Sequence, residues 1–262
     1  MITLGVDVGT RFLKIAIVED QALLGTACLE MNRRFKSVFG EALDLAITDA
    51  KKISGRRIRK MFIRRMVATG YGAHLVKKAY SVAEDAACTA KGAWALNLYA
   101  THAIDAGGFF IRAITLEDRG SVKKASVNDK CAAGSGKFLE MIAQILEIPF
   151  HEISTYAMAA VDPFPLTNSC AVFAESDVIS QINSGRSPQD MIAGVIQSIV
   201  RKTETLLYDG KEGGDVCVMG GLASVPAYVT FLKNMTGLRV IVPPMNPRLV
   251  TAYGAALIAG ER

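Results

Sequence analysis

The amino-acid sequence predicts an α/β protein made of two homologous domains with a cleft between them. Three observations lead to this prediction: an aliphatic and glycine-rich composition, an internal repeat, and stretches in which an apolar strand runs through a glycine turn into a helix. Half of the 262 residues are hydrophobic, only 7% are aromatic, and 23 are glycine. This composition is typical of aliphatic packing between sheets and helices joined by tight turns.

The internal repeat matches DVGTRFLKIAIVED, residues 7–20, with DAGGFFIRAITLED, residues 105–118. Both stretches open with Asp-x-Gly, carry a basic residue (Lys14 or Arg112) inside an aliphatic strand, and close in Glu-Asp. ALLGTACLE and SVKKASV follow as candidate third strands. Self-similarity of this kind indicates duplicated domains, and we expect them at residues 1–100 and 101–262.

The residue types of the two turns suit a bound phosphate. Glycine lets the backbone approach phosphate oxygens closely and point its N–H groups at them. We therefore expect Gly9, Thr10 and Lys14 in the first hairpin, and Gly107 and Gly108 in the second, to bind a nucleotide.

An aspartate precedes each turn, Asp7 in the first and Asp105 in the second. A carboxylate cannot face a phosphate directly without repulsion, so we expect these two to hold Mg²⁺ through water. Two such hairpins facing each other would clamp one nucleotide from both sides.

Three further stretches complete the predicted elements. DVCVMGGLASVPAYV, residues 215–229, predicts a buried strand, a turn at Gly220 and Gly221, and a helix. That turn would pass close to adenine or would simply pack a strand against a helix. VATGYG, residues 67–72, predicts another strand and glycine turn, and YGAALIAG, residues 253–260, a small-residue helix near the domain junction.

Net charge, apolar runs and cysteine content indicate which partners and which cellular compartment to expect. The net charge of +5 is too small to indicate the dense basic face that nucleic-acid binders usually have. No apolar run reaches the length of a membrane span. Five cysteines without a secretion signal favour a reducing cytoplasm. We expect a cytoplasmic protein that binds neither nucleic acid nor membrane.

The cysteines divide into two groups. NDKCAAGSGKFLE, residues 128–140, resembles a P-loop but has Cys131 where the first glycine belongs and no hydroxyl after the lysine. Cys131 and Cys170 both stand before predicted helices, whose N-termini stabilise an anionic ligand. We expect the other three to pack as small hydrophobic residues: Cys28, Cys88 and Cys217.

Two thiolates per chain do not fill the coordination of a [4Fe–4S] cluster, but a symmetric dimer supplies four. We therefore expect Cys131 and Cys170 to bind a cluster shared across a dimer; the alternative is that both stretches are only tight helix starts. Glu175, which follows Cys170, could orient a nucleophilic water or only stabilise the start of its helix.

These stretches resemble known proteins. The paired Asp-x-Gly hairpins with MGGLA and YGAALIAG are similar to the actin, Hsp70 and sugar-kinase superfold, which has ribonuclease H-like domains. NDKCAAGSGKFLE, SCAVFAESDVIS, ATGYG and MGGLA look like the ATPase family of the 2-hydroxyacyl-CoA dehydratase activator and the ATPase subunits of benzoyl-CoA reductase.

The resemblance implies an ATP-dependent electron-transfer subunit of an anaerobe. In that family the matching cysteines, Cys131 and Cys170, hold a [4Fe–4S] cluster on the two-fold axis of a dimer, and Asp7 and Asp105 stand at the phosphate and magnesium positions. ATP hydrolysis helps to drive an electron onto an acyl-CoA reductase or dehydratase. A reduced ferredoxin is the implied donor.

The second hairpin departs from the commonest form of the family. Many activators have Gln-Asp after the Gly-Gly pair, whereas this chain has Phe109 and Phe110. This favours one half of a heterodimer, as in benzoyl-CoA reductase, over a homodimeric dehydratase activator. It also leaves open whether the chain hydrolyses ATP itself or is a non-hydrolysing, nucleotide-responsive subunit. A small-molecule kinase of the same superfold is the remaining alternative.

Overall fold

The computed structural model describes residues 1–96, 100–128, 135–166, 171–208 and 214–261. Within these ranges the chain forms ten strands and eight α-helices. The strands are β1 Ile2–Val8, β2 Phe12–Glu19, β3 Ala22–Glu30, β4 Ile63–Thr69, β5 Ser81–Val82, β6 His102–Ala106, β7 Ile111–Glu117, β8 Ser121–Val127, β9 Val216–Met219 and β10 Val240–Ile241. The helices are α1 Phe35–Ser54, α2 Asp85–Ala95, α3 Gly136–Ile145, α4 Ile153–Met158, α5 Ala171–Asn183, α6 Pro188–Tyr208, α7 Pro226–Thr236 and α8 Val250–Glu261.

The strands form two five-stranded sheets with the same topology. The order is β3-β2-β1-β4-β5 in the first sheet and β8-β7-β6-β9-β10 in the second. In each sheet the central strand pairs antiparallel with its hairpin partner, β1 with β2 and β6 with β7. It also pairs parallel with a later strand, β4 or β9. The duplicated α/β architecture predicted from the sequence is confirmed, including the third strands β3 and β8.

The chain divides into two compact units. The first contains Met1–Ala100, Leu116–Lys123 and Pro243–Arg262, and the second contains Thr101–Thr115 and Lys124–Val242. These bounds differ from the sequence division at 100 and 101 in two places. Helix α8 packs against β1, β4 and α2, and the turn Asp118–Gly120 packs against α2, so both belong to the first unit. The expected position of this helix at the domain junction stays a prediction.

Strand β1 is buried on both faces. Leu4, Val6 and Val8 pack in one cluster with the buried face of α1. On the opposite face, Gly5 lies so close to α8 that an added Cβ would collide with the carbonyl oxygen of Ala252. A strand covered by helices on both faces reads as a continuous apolar run, which explains ITLGV at the start of the sequence.

Helices α2 and α8 cross at close range, which explains the small residues of YGAALIAG. A Cβ on Gly254 would collide with the carbonyl oxygen of Cys88. Beside this contact the hydroxyl oxygens of Thr89 and Thr251 lie 2.9 Å apart in a buried hydrogen bond. Larger side chains at this crossing would separate the helices.

The second unit has its own core. Ile104 of β6 and Ile111 of β7 pack in one cluster with Phe138 and Leu139 of α3 and Ile196 of α6. Burying each side chain of this size contributes roughly 1.5–3 kcal/mol to the free energy of unfolding.

Among the described helices, none combines the length and the apolar character needed to cross a membrane.

Candidate functional site

The first hairpin holds an aspartate and a lysine face to face. Asp7 of β1 pairs in register with Lys14 of β2, and the Lys14 Nζ donates to Asp7 Oδ2 over 2.7 Å. Both side chains are largely buried, with 10% of Asp7 and 14% of Lys14 exposed. The turn closes where the Gly9 N–H donates to the Phe12 carbonyl, and a Cβ on Gly9 would lie 2.7 Å from Lys14 Nζ. A larger residue at position 9 would displace the Lys14 ammonium group, while Thr10 is exposed at the tip of the turn.

A glycine of the neighbouring strand forms a wall against the Asp7 carboxylate. Thr69, at the end of β4, pairs with Asp7 in parallel register, and Gly70 follows it with a φ of +89°. A Cβ on Gly70 would lie 2.5 Å from Asp7 Oδ1 and 2.6 Å from the Val8 carbonyl oxygen. Only glycine satisfies both the left-handed backbone and this approach.

The second hairpin repeats this arrangement with an arginine. Asp105 of β6 pairs in register with Arg112 of β7, and Arg112 Nη1 donates to Asp105 Oδ2 over 3.0 Å. The exposed fractions are 16% for Asp105 and 20% for Arg112. The turn closes in the same way, with the Gly107 N–H donating to the Phe110 carbonyl.

A glycine also forms a wall against Asp105. Gly220 follows β9, the parallel neighbour of β6, with a φ of +85°. A Cβ there would lie 2.8 Å from Asp105 Oδ1 and 2.5 Å from the Ala106 carbonyl oxygen. Gly221 is the N-cap residue of the short 3-10 turn Leu222–Ser224, which precedes α7. The structure thus brings Gly220 directly to the second hairpin.

Two aromatic residues complete the second turn. Phe109 is 40% exposed, and the Arg112 guanidinium lies over the Phe110 ring, 5.7 Å from its centroid. A cation over a ring face is an attractive arrangement, so the aromatic ring and the carboxylate of Asp105 share the same arginine. Of the two residues that stand where many activators have Gln-Asp, Phe110 therefore packs within the hairpin and Phe109 is exposed.

The second turn also anchors both ends of the stretch that carries Cys131. The first N–H groups of α3, from Gly136 and Lys137, donate to the carbonyl oxygens of Gly107 and Gly108 over 3.1 and 2.8 Å. At the other end, Asn128 Oδ1 accepts the Ile111 N–H over 2.7 Å.

Cys131 and Cys170 themselves lie outside the described residues. The helices predicted to follow them are present, since α3 begins at Gly136 and α5 begins at Ala171. Glu175 lies within α5 and is half-buried.

The remaining cysteines have surroundings typical of packing residues. Cys88 and Cys217 are fully buried, and Cys28 is half-buried in β3. Burial raises the pKa of Cys217 to about 12, and burial likewise raises the pKa of Cys28. A thiol with a raised pKa is a poor nucleophile and a poor metal ligand at neutral pH.

Three residues of this site were not assigned a role from the sequence: Gly70, Asp85 and Asn128. Gly70 stands in the glycine turn VATGYG and Asn128 opens NDKCAAGSGKFLE, so both lay in stretches the sequence singled out. Asp85 accepts the Gly70 N–H over 2.6 Å, but nothing in the sequence distinguishes it from an ordinary acidic residue at a helix start.

Comparison with known proteins gives a family. Residues 4–259 match the BadF/BadG/BcrA/BcrD ATPase family. The chain is 38% identical over 261 residues to the activator of lactoyl-CoA dehydratase from Anaerotignum propionicum, which covers 100% of this chain and 98% of the relative. It is also 38% identical over 135 residues to a benzoyl-CoA reductase subunit from Thauera aromatica, covering 51% of this chain and 48% of the relative.

Solved structures agree in fold. The Acidaminococcus fermentans (R)-2-hydroxyglutaryl-CoA dehydratase component A matches with a TM-score of 0.91 at 28% identity, over 100% of this chain and 98% of the other. The Clostridium difficile 2-hydroxyisocaproyl-CoA dehydratase activator with bound ADPNP matches with a TM-score of 0.89 at 27% identity, over 100% and 95%.

A glucokinase from Streptomyces griseus covers 100% of both chains with a TM-score of 0.55 at 11% identity, and that likeness shows the fold alone. The sugar-kinase superfold predicted from the hairpins is therefore confirmed. The extent of the family match and the full-length relative lead to one conclusion: the chain belongs to the BadF/BadG/BcrA/BcrD ATPase family.

Proposed function

We propose that this chain is an ATP-dependent electron-transfer component that donates low-potential electrons to an acyl-CoA dehydratase or reductase. The observation that carries the proposal is the duplicated hairpin, in which Asp7 and Asp105 each face a cation and a left-handed glycine in the same strand register. Membership of an ATPase family and the full-length match to a dehydratase activator support it.

Each hairpin turn would contact phosphates of a nucleotide. Without a Cβ in the way, the turn glycines would let phosphate oxygens approach the backbone closely, and Lys14 adds a positive charge for the phosphates. Carboxylate oxygens are ligands that Mg²⁺ prefers, so Asp7 and Asp105 fit a hydrated magnesium ion. The phosphate contacts are Gly9, Thr10, Lys14, Gly107 and Gly108, and the adenosine contacts are Gly220 and Gly221. Glu175 would orient the attacking water.

Cys131 and Cys170 fit a [4Fe–4S] cluster by the chemistry of their thiolates, since two chains related by a two-fold axis supply four ligands. Such a cluster accepts and donates single electrons at low potential. The hydrogen bonds from α3 to the Gly107 and Gly108 carbonyls would let the nucleotide at the second turn act on the stretch that holds Cys131.

The full-length match to a dehydratase activator favours a dehydratase as the partner enzyme, because the match to the benzoyl-CoA reductase relative covers only half of the chain. One half of a heterodimeric reductase stays the alternative that Phe109 and Phe110 support. In either case the electron would come from a reduced ferredoxin, and each transfer would accompany hydrolysis of ATP to ADP and phosphate.

A first experiment measures iron, acid-labile sulfide and ATP turnover in anaerobically purified protein, alone and with the candidate dehydratase components. We expect about two iron atoms per chain, as a four-iron cluster shared by two chains requires. The variants Cys131→Ala and Cys170→Ala should lose the iron, whereas the matched control Cys28→Ala should keep it. Protein that binds neither iron nor Mg·ATP, alone or with those components, would contradict the proposal.

A non-hydrolysing, nucleotide-responsive subunit is the second candidate, and the observation that favours it is the Phe109-Phe110 pair. The double substitution Phe109→Gln with Phe110→Asp tests it. ATP binding without turnover in the wild-type chain beside its partner, with turnover restored in the double variant, would establish this second candidate.

A further inference from the structure

Asp85, the first residue of α2, holds the glycine loop that follows β4. One carboxylate oxygen, Asp85 Oδ1, accepts the Thr69 hydroxyl over 2.8 Å and the Gly70 N–H over 2.6 Å. Hydrogen bonds to an ionised acceptor are stronger than those between neutral groups. This single oxygen therefore fixes both the side chain of Thr69 and the backbone of Gly70.

The loop that Asp85 holds is the one that borders Asp7. Thr69 is fully buried and pairs with Asp7 in register, and Gly70 forms the wall against the Asp7 carboxylate. Two residues further on, the Gly72 N–H donates to the Val8 carbonyl over 2.9 Å. The loop is thus tied to α2 on one side and to the end of β1 on the other.

We propose that Asp85 is a positioning residue for the nucleotide site of the first hairpin, acting through Gly70 on the carboxylate of Asp7. This inference rests on the proposed function, in which Asp7 holds the magnesium ion of a bound nucleotide. Without the two hydrogen bonds to Asp85 Oδ1, Gly70 is held less firmly beside Asp7, and the Asp7 carboxylate gains freedom to leave the orientation in which it accepts from Lys14. Asp85 would thereby preorganise the Asp7 carboxylate for a hydrated Mg²⁺ ion.

The chain offers a matched control in the same unit. Asp49 of α1 also uses one carboxylate oxygen, Oδ2, to accept a threonine hydroxyl and a backbone N–H, both from Thr26, over 3.3 and 2.9 Å. Asp49 is likewise half-buried, but Thr26 lies in the middle of β3 and not beside a turn. Removing either carboxylate deletes the same kind of interaction. Of the two, Asp85 is the one whose hydrogen-bond partner, Gly70, lies against Asp7.

The experiment titrates full-length wild type, Asp85→Ala, Asp85→Asn and Asp49→Ala with ADPNP at several Mg²⁺ concentrations, and records thermal unfolding of each. We expect Asp85→Ala to weaken Mg²⁺-dependent binding by about tenfold, the usual order for losing a hydrogen bond to a charged group. Asp85→Asn keeps an acceptor oxygen and should stay within about threefold of wild type. Asp49→Ala should unfold at a lower temperature with unchanged nucleotide affinity.

Two results would overturn the positioning role. If Asp85→Ala behaves like Asp49→Ala, losing thermal stability but no affinity, then Asp85 only stabilises the start of α2 through the helix dipole. If Asp85→Asn binds as poorly as Asp85→Ala, the charge of Asp85 acts directly on the nucleotide or metal. Failure of the wild-type protein itself to bind Mg·ADPNP would instead contradict the proposed function, which keeps the two failures distinguishable.

Discussion

In the first hairpin the Asp7 carboxylate faces Lys14 and Gly70, and in the second the Asp105 carboxylate faces Arg112 and Gly220. Strand pairing produces this likeness, because residues opposite each other in an antiparallel pair share one face of the sheet. The parallel neighbour, β4 or β9, is followed by the glycine that lies against the other carboxylate oxygen of the same aspartate.

The two hairpins differ in what their turns hold. The first turn lies beside the loop that Asp85 fixes, and that loop is also hydrogen-bonded to the end of β1. The second turn anchors the stretch that carries Cys131, through the carbonyls of Gly107 and Gly108 and through Asn128. Duplication has therefore preserved what strand register determines, while the loops added to each copy have diverged.

The largest loss of stability is expected at Gly70 and Gly220, the two glycines that lie against the carboxylates of Asp7 and Asp105. Gly70→Ala and Gly220→Ala each add a Cβ in contact with backbone and carboxylate oxygens at positive φ, and should cost about 3 kcal/mol of unfolding free energy. Gly55→Ala is the control: its φ is +69°, but nothing lies within 4 Å, so about 1 kcal/mol is expected. Urea unfolding measures all three. Equal losses would show that backbone conformation alone requires these glycines.

The next effect concerns the paired cations. Lys14→Met and Arg112→Met each remove the cation that faces a largely buried aspartate, and should cost about 2 kcal/mol and weaken Mg·ADPNP binding. Lys60→Met removes an exposed ion pair with Asp44 and should cost less than about 1 kcal/mol. Calorimetric unfolding measures the stability of the three variants, and nucleotide titration measures their affinity for Mg·ADPNP. If only Lys14→Met changes affinity, the likeness of the two hairpins is structural and not functional.

A smaller effect tests the anchor found in the second copy. Asn128→Ala removes the side-chain oxygen that accepts the Ile111 N–H, and should cost about 1–2 kcal/mol. Asn128→Asp keeps an acceptor oxygen and should cost less. Asn246→Ala, which removes an exposed bond to the Arg248 N–H, is the control. The iron content of each variant, measured together with its stability, shows whether this hydrogen bond also supports cluster binding. Unchanged iron in Asn128→Ala would mean that Asn128 stabilises only the hairpin.

The smallest effect is a pH dependence in the second unit. Hydrogen bonds from the Asp162 N–H, the Ser187 hydroxyl and the Val161 N–H lower the pKa of Asp190. A lowered pKa in the folded state means that this contribution is present above the ordinary carboxyl pKa and is lost as the pH falls through the folded-state value.

We therefore expect wild-type stability to fall more steeply below about pH 4 than that of Asp190→Asn, with Asp44→Asn as the exposed control. Urea unfolding between pH 7 and pH 3 measures the difference. Parallel curves for wild type and Asp190→Asn would exclude a contribution from this carboxylate.

Much of the fold could be predicted because its signals are local. Apolar runs, glycine turns and the repeat were enough for β1, β2, β3 and their counterparts, since a strand buried on both faces leaves a continuous hydrophobic stretch. The candidate site was predicted as far as it lies in the turns themselves. The partners Gly70 and Asp85 could not be assigned, because sequence distance hides that β4 lies beside β1.

The duplicated architecture, the two Asp-x-Gly turns and the family could be predicted from the sequence, because each depends on residue types at short, fixed spacing. Three features become visible only in the folded chain: which glycine borders which aspartate, the packing of α8 in the first unit, and the hydrogen bonds from the start of α3 to Gly107 and Gly108. These are contacts between segments far apart in the chain. They are decided by parallel strand order and by how closely small residues let helices approach, which no local pattern of residues encodes.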